Sequence, residues 1–272
     1  MMSGRNTVID RADSPVLTGR AAVSATGPRH LVERSARPGY REHLARLERA
    51  QKPGGGVPAY MRWVNRGVAR RIAAASAVLG LTPNAVTAVS ASLTAAGLAL
   101  LVAAPPSWGV GALVAVLLAL GFAFDSADGQ LARLTGVSSP AGEWLDHVVD
   151  AIRTPSVHLC VAAAVLLHRP DWTWVAAVAV CFAVLGVGQF TSQILAEQLV
   201  RSRGGEDPEP SGVRKSFMLL PTDTGVLCWA FLLWGGAVAF APFYLVLFAL
   251  NLVHAAASMR RKYRKLADLQ RH

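Results

Sequence analysis

Four carboxylates, Asp125, Asp128, Asp146 and Asp150, stand three, eighteen and four residues apart beside strongly apolar sequence. Spacings of three and four place each pair on one face of a helix. Between the pairs, Ser138, Ser139 and Pro140 read as a turn that folds the second helix back along the first. The four carboxylates then converge at one point. Such a cluster repels itself unless cations bridge it, and its hard oxygen donors suit a divalent metal. The bland alternative is a chance group of helix-end aspartates. Carboxylates at a membrane edge are costly, however, and are generally functional.

The elements that must position these residues belong to a membrane protein. Of 272 residues, 53% are hydrophobic and 16% charged, below the quarter or so of a soluble domain, and the mean hydropathy is +0.37. The net charge of +10 gathers at the chain ends and between apolar stretches. Anionic lipid headgroups and the positive-inside rule account for that distribution, and nucleic acid is not an expected partner. Cys160, Cys181 and Cys228 lie in apolar stretches without metal spacing and are expected to be buried small hydrophobes.

Residues 1–57 are rich in Arg, Ser, Pro and Gly and lack the apolar core of a signal peptide. They read as a mostly disordered basic cytoplasmic arm with a short helix over 41–51. Residues 58–80 alternate basic and apolar character and predict an amphipathic helix in the membrane interface, with Tyr60 and Trp63 at headgroup depth. Thr82 and Pro83 form a cap and first helical position. Six spans are expected near 83–104, 108–133, 141–168, 172–199, 216–235 and 238–260, each long enough to cross about 30 Å of hydrocarbon. The fold class is therefore all-α and integral to the cell membrane, six transmembrane helices preceded by an interfacial helix. Residues 58–260 form the domain, and 261–272 a basic cytoplasmic tail. The positive-inside rule puts both termini in the cytoplasm and the aspartates at the cytoplasmic ends of the second and third spans.

The run from Asp125 to Asp150 resembles the signature of the CDP-alcohol phosphotransferase family, D-x2-D-G-x2-A-R-x8-G-x3-D-x3-D. Every fixed position is filled, by Asp125, Asp128, Gly129, Ala132, Arg133, Gly142, Asp146 and Asp150. The resemblance implies a polar cytoplasmic-side cavity in which a hydroxyl attacks the β-phosphate of a CDP-alcohol and CMP leaves. It implies a metal site of Asp125, Asp128 and Asp146 with Asp150 as the fourth carboxylate and general base, holding two Mg²⁺ or Mn²⁺ ions. Gly129, Ala132, Arg133 and Gly142 would admit and hold the nucleotide; close helix packing is the competing reading for the small residues. Asn84 and Thr87, in a Thr-Pro-Asn-x-x-Thr segment often seen in this family, join the nucleotide site or simply start a helix. A homodimer is a further implication.

Other residues carry less. Arg153 lies one turn beyond Asp150, where it binds an acceptor phosphate or bridges the carboxylates. Arg214 and Lys215 reach the same cavity or anchor headgroups. Gln189, Gln193 and Glu197 recur every four residues and must face protein or water; His158 and Asn251 read as satisfied packing residues. The stretch from Lys52 to Arg66 looks like branches of the family that handle polar CDP-alcohols, so the donor is CDP-diacylglycerol or a polar CDP-alcohol, and the acceptor is open. The rivals are an aspartate-rich intramembrane prenyltransferase, which leaves Gly129, Ala132, Arg133 and Gly142 unexplained, and a non-catalytic scaffold or transporter.

Overall fold

Caps and helix breakers divide the chain. The computed structural model describes residues 38–50, 55–203, 212–236 and 238–268, and among them every regular element is helical. α1 (Tyr40–Arg49) fills the short helix expected in the arm; the arm's first 37 residues lie outside the described ones. A wide turn at Met61–Asn65, of the kind whose hydrogen bonds reach five residues instead of four, leads into α2 (Arg66–Val78). Ala69, Ala73, Ala74 and Ser76 are buried along one face of α2, while Arg71 is exposed on another.

α3 (Pro83–Ala103) starts where expected: the Thr82 side chain accepts a hydrogen bond from Ala85 N at 3.2 Å, and Pro83 opens the helix. Ser107 caps α4 (Trp108–Thr135) in the same way, and Gly136 ends it in the left-handed conformation at φ +71°, where a side chain would be strained. Ser139 then accepts from Gly142 N at 3.1 Å to start α5 (Pro140–His168). A 3₁₀ turn at Pro170–Trp172 leads into α6 (Thr173–Ser202). After α7 (Val213–Met218) and α8 (Thr224–Ala230) come the turn near Gly235 and the long α9 (Phe240–Asp268).

Five helical stretches among the described residues are long and apolar enough to cross a membrane, those of α3, α4, α5, α6 and α9. The stretch expected as one continuous span at 216–235 is instead divided. Pro221 offers no N–H, and Asp223 is extended and caps α8 through Gly225 N at 3.0 Å. The divided segment still runs the length of the bundle. Ser216 accepts from Arg62 of the turn before α2 at 3.2 Å, whereas Gly235 packs on the Ser107–Trp108 backbone. That end of α4 is 17 residues, about 25 Å, from Asp125 at 1.5 Å per residue.

Two apolar clusters hold these elements. Leu101, Val114, Val161, Val175, Phe231, Trp234, Phe240 and Tyr244 form the larger. Around α2 the smaller one gathers Ala69, Ala73, Val86, Ala127 and Leu131, with Leu47 of α1 seated on it. In lipid, burying apolar surface between helices gives little hydrophobic gain, so close packing of small side chains must do more. Gly121 shows this: a Cβ there would collide with the Thr94 hydroxyl and the Ser90 carbonyl, so α3 and α4 approach closely beside the aspartates. Of the three cysteines only Cys228 is buried; Cys160 is half-buried and Cys181 exposed, because their helices turn those faces outward.

Candidate active site

The α4–α5 hairpin brings three of the four aspartates together. One carboxylate oxygen from each of Asp125, Asp128 and Asp146 lies within 4.8 Å of the others. Asp128 is buried, and its two oxygens are held separately: Thr87 Oγ1 of α3 donates to Oδ2 at 2.5 Å, and Gly129 N donates to Oδ1 at 2.5 Å. Three hard oxygen donors converging from two rigid helices fit a divalent ion.

Asp150 lies outside that triad of converging oxygens. Its Oδ1 meets Arg153 Nη1 at 2.9 Å, and the same Nη1 lies 2.7 Å from Asp125 Oδ1. The Asp125 contact is an ion pair without hydrogen-bond alignment, and Oδ1 is buried. Arg153 Nη2 donates to Ser90 Oγ at 2.8 Å, and Ser90 in turn donates to Gly121 O at 2.8 Å. Of the two roles open to Arg153 in the sequence, its geometry is that of a bridge between carboxylates.

The remaining motif residues surround the cluster. Arg133 Nη1 lies 3.5 Å from where a Cβ on Gly129 would stand, and Asn84 Oδ1 lies 3.7 Å from the corresponding point on Gly142. Arg133 is exposed and Ala132 half-buried. Arg214 and Lys215 are exposed and do not line the cavity described below. His158 is satisfied as expected, its Nδ1 2.7 Å from the Tyr244 hydroxyl and its ring stacked on Phe182.

The contacts of three positions escaped the reading of the sequence. Asn65, almost fully buried, donates through Nδ2 to Ser126 Oγ at 2.6 Å, inside the first aspartate pair. Ser90 holds Arg153. Asp223 accepts from Met61 N at 2.9 Å while capping α8, and so ties the wide turn before α2 to the divided segment. A Thr-Asp-Thr run just after a proline was the available signal for Asp223; the partners of Asn65 and Ser90 are distant in sequence and left none.

A cavity of about 370 Å³ opens beside Asp125 and Asp150, between α5, α6, α9 and the 221–227 stretch. Gln189 and Gln193 line it, and Gln193 also donates to Glu197 along α6.

Comparison with known proteins places the chain in a family. The model of the CDP-alcohol phosphatidyltransferase family matches residues 80–257. An uncharacterized class-I protein of that family from Schizosaccharomyces pombe is 55% identical over 49 residues, 18% of this chain and 12% of the relative. Cholinephosphotransferase 1 of Xenopus laevis is 38% identical over 101 residues, 35% of this chain and 25% of the relative. The chain thus spans a quarter or less of the length of these two relatives.

Proposed function

The chain belongs to the CDP-alcohol phosphatidyltransferase family, and from that premise we propose that it transfers a phosphatidyl or other phospho-alcohol group from a CDP-alcohol to an acceptor hydroxyl, releasing CMP, in phospholipid or polar-lipid synthesis. The observation that carries this reading is the convergence of Asp125, Asp128 and Asp146 within 4.8 Å, with Asp125 also lining the cavity that Asp150 lines. The prenyltransferase and scaffold readings gain no support from the family match.

Asp125, Asp128 and Asp146 would hold Mg²⁺ or Mn²⁺, two ions with the help of Asp150. Such ions neutralise charge on a diphosphate and on its leaving phosphate. Asp150 stands at the cavity wall as the general base, oriented by Arg153; a positioned carboxylate of this kind takes the proton of the attacking hydroxyl. Thr87 fixes Asp128 against rotation. Gly129, Ala132, Arg133, Gly142 and Asn84 form the nucleotide side, with Arg133 facing the phosphates. The donor is CDP-diacylglycerol or a polar CDP-alcohol. Arg214 and Lys215 anchor headgroups.

The membrane arrangement belongs to the same reading. Residues 58–260 form the catalytic domain between the basic arm, 1–57, and the tail, 261–272. The run of the divided segment along the bundle supports its counting as a sixth crossing, which leaves both termini and the cavity cytoplasmic in a homodimer of the cell membrane. The purified protein, given labelled CDP-choline or CDP-diacylglycerol with a panel of alcohols, should release CMP with Mg²⁺ and stop with chelator. Metal-independent release, or none from any pair, would sink the proposal.

A further inference from the structure

Met61 stands between the divided segment and the helix turn that presents Asp125 and Asp128. It opens the wide turn before α2. Its backbone N–H donates to Asp223 Oδ2 at 2.9 Å, and its Sδ lies 3.3 Å from Asn65 Nδ2 and 3.7 Å from Ser126 Oγ. Asn65 and Ser126 are themselves joined at 2.6 Å, and Ser126 directly follows Asp125 in the chain. Asp223 is thus two contacts away from the aspartate-bearing turn of α4.

The surroundings of Asp223 suit it to hold backbone in place. It is 3% exposed, and its two oxygens are divided. Oδ1 accepts from Gly225 N at 3.0 Å to start α8, and Oδ2 accepts from Met61 N. A helix cap needs only one acceptor, and Ser or Asn serves there as well as Asp. Burying a carboxylate is costly, so the second acceptor is what distinguishes Asp at this position. Tyr60 secures the same end of the turn: its ring packs on Gly225, and its hydroxyl accepts from Trp229 Nε1 at 2.9 Å. Turns whose hydrogen bonds reach five residues recur at functional sites. This one is held at its start by the 223–229 stretch and at its end by α4, so a shift at one end is passed to the other.

We propose that Asp223 is a positioning residue for the metal site: through Met61 and Asn65 it sets the rotation of the α4 turn, and with it the aim of the Asp125 and Asp128 carboxylates. The inference rests on the transfer reading, which places a divalent ion on those carboxylates. The contacts it uses involve no metal ligand, so they persist when ions are bound.

The test is Mg²⁺ affinity of the full chain in detergent, by titration calorimetry, in a double-mutant cycle of Asp223→Ser and Asn65→Ala. Serine keeps an oxygen for Gly225 N, so α8 still starts, but it cannot serve Met61 N as well. Asp223→Ser should weaken Mg²⁺ binding by about three- to tenfold, at or below the low end of the effect of groups that touch a ligand directly. In the Asn65→Ala background the same change should cost less than about twofold, because the link is already cut. A general loosening of the fold would lower affinity by the same factor in both backgrounds. That result, or unchanged affinity in Asp223→Ser, overturns the inference and leaves the transfer reading standing. Should Asp223→Ser give no cooperative melting curve in chelator, Asp223→Asn, which keeps the volume and loses one acceptor, takes its place in the cycle. Failure of the natural chain to bind Mg²⁺ overturns the inference and the metal site of the transfer reading together.

Discussion

Asn65 Nδ2 donates to Ser126 Oγ at 2.6 Å, joining the wide turn before α2 to the α4 turn that carries Asp125 and Asp128. The same amide nitrogen lies 3.4 Å from the Phe122 carbonyl and 3.3 Å from Met61 Sδ. The turn before α2 therefore fixes the rotation of the helix that presents the carboxylates.

Groups that hold metal ligands in place generally matter by about ten- to a hundredfold in metal affinity. Asn65→Ala and Ser126→Ala should each weaken Mg²⁺ binding by about tenfold, and the double variant should be no worse than the poorer single one. Metal-induced stabilisation in thermal unfolding reads this directly. Unchanged metal response in both single variants would reduce the contact to ordinary packing.

Arg153 pairs with two carboxylates, those of Asp125 and Asp150. Removing one partner of a buried ion pair costs about 3–5 kcal/mol. Arg153→Leu should thus be strongly destabilised in chelator, and Mg²⁺ should restore more stability to it than to the natural chain. The comparison needs only melting curves with and without metal; an equal gain for both proteins would argue against a shared role of metal and arginine.

Gly225 sits against Tyr60, and a Cβ there would fall inside the tyrosine ring. Tyr60 is also held by Trp229, whose Nε1 donates to the hydroxyl at 2.9 Å. Gly225→Val should cost about 1–3 kcal/mol through overpacking, seen as a lowered Tm in detergent. Loss of the same size on Gly109→Val, where nothing stands within 4 Å, would show that the Tyr60 contact is not the cause.

Much of this site was legible in the sequence because its signals are local. Asp125 with Asp128 lies within one helical turn, and Ser139–Pro140 announces the next helix. Thr82–Pro83 does the same for α3. Those cues need only neighbouring residues, and the helices they define carry the aspartates to one place. The continuous span at 216–235 was misread because its overall hydropathy outweighed Pro221 and Asp223, which break it. Asn65 and Ser90 were illegible for a different reason. Their partners, Ser126 and Arg153, are 61 and 63 residues away, and nothing in the chain's local pattern marks such pairings. Arg153 was visible as a cation near the cluster, but only the fold shows that two carboxylates and a serine occupy it.

The central claim is that this carboxylate site performs the transfer with Asp150 as its base. The most direct measurement is CMP release by Asp150→Asn beside the natural chain, at saturating Mg²⁺ and with CDP binding followed in parallel. Turnover should fall by about a hundredfold or more, within the range expected for a lost general base, while CDP still binds. Turnover at the natural rate would contradict the assignment and move the chemistry away from Asp150.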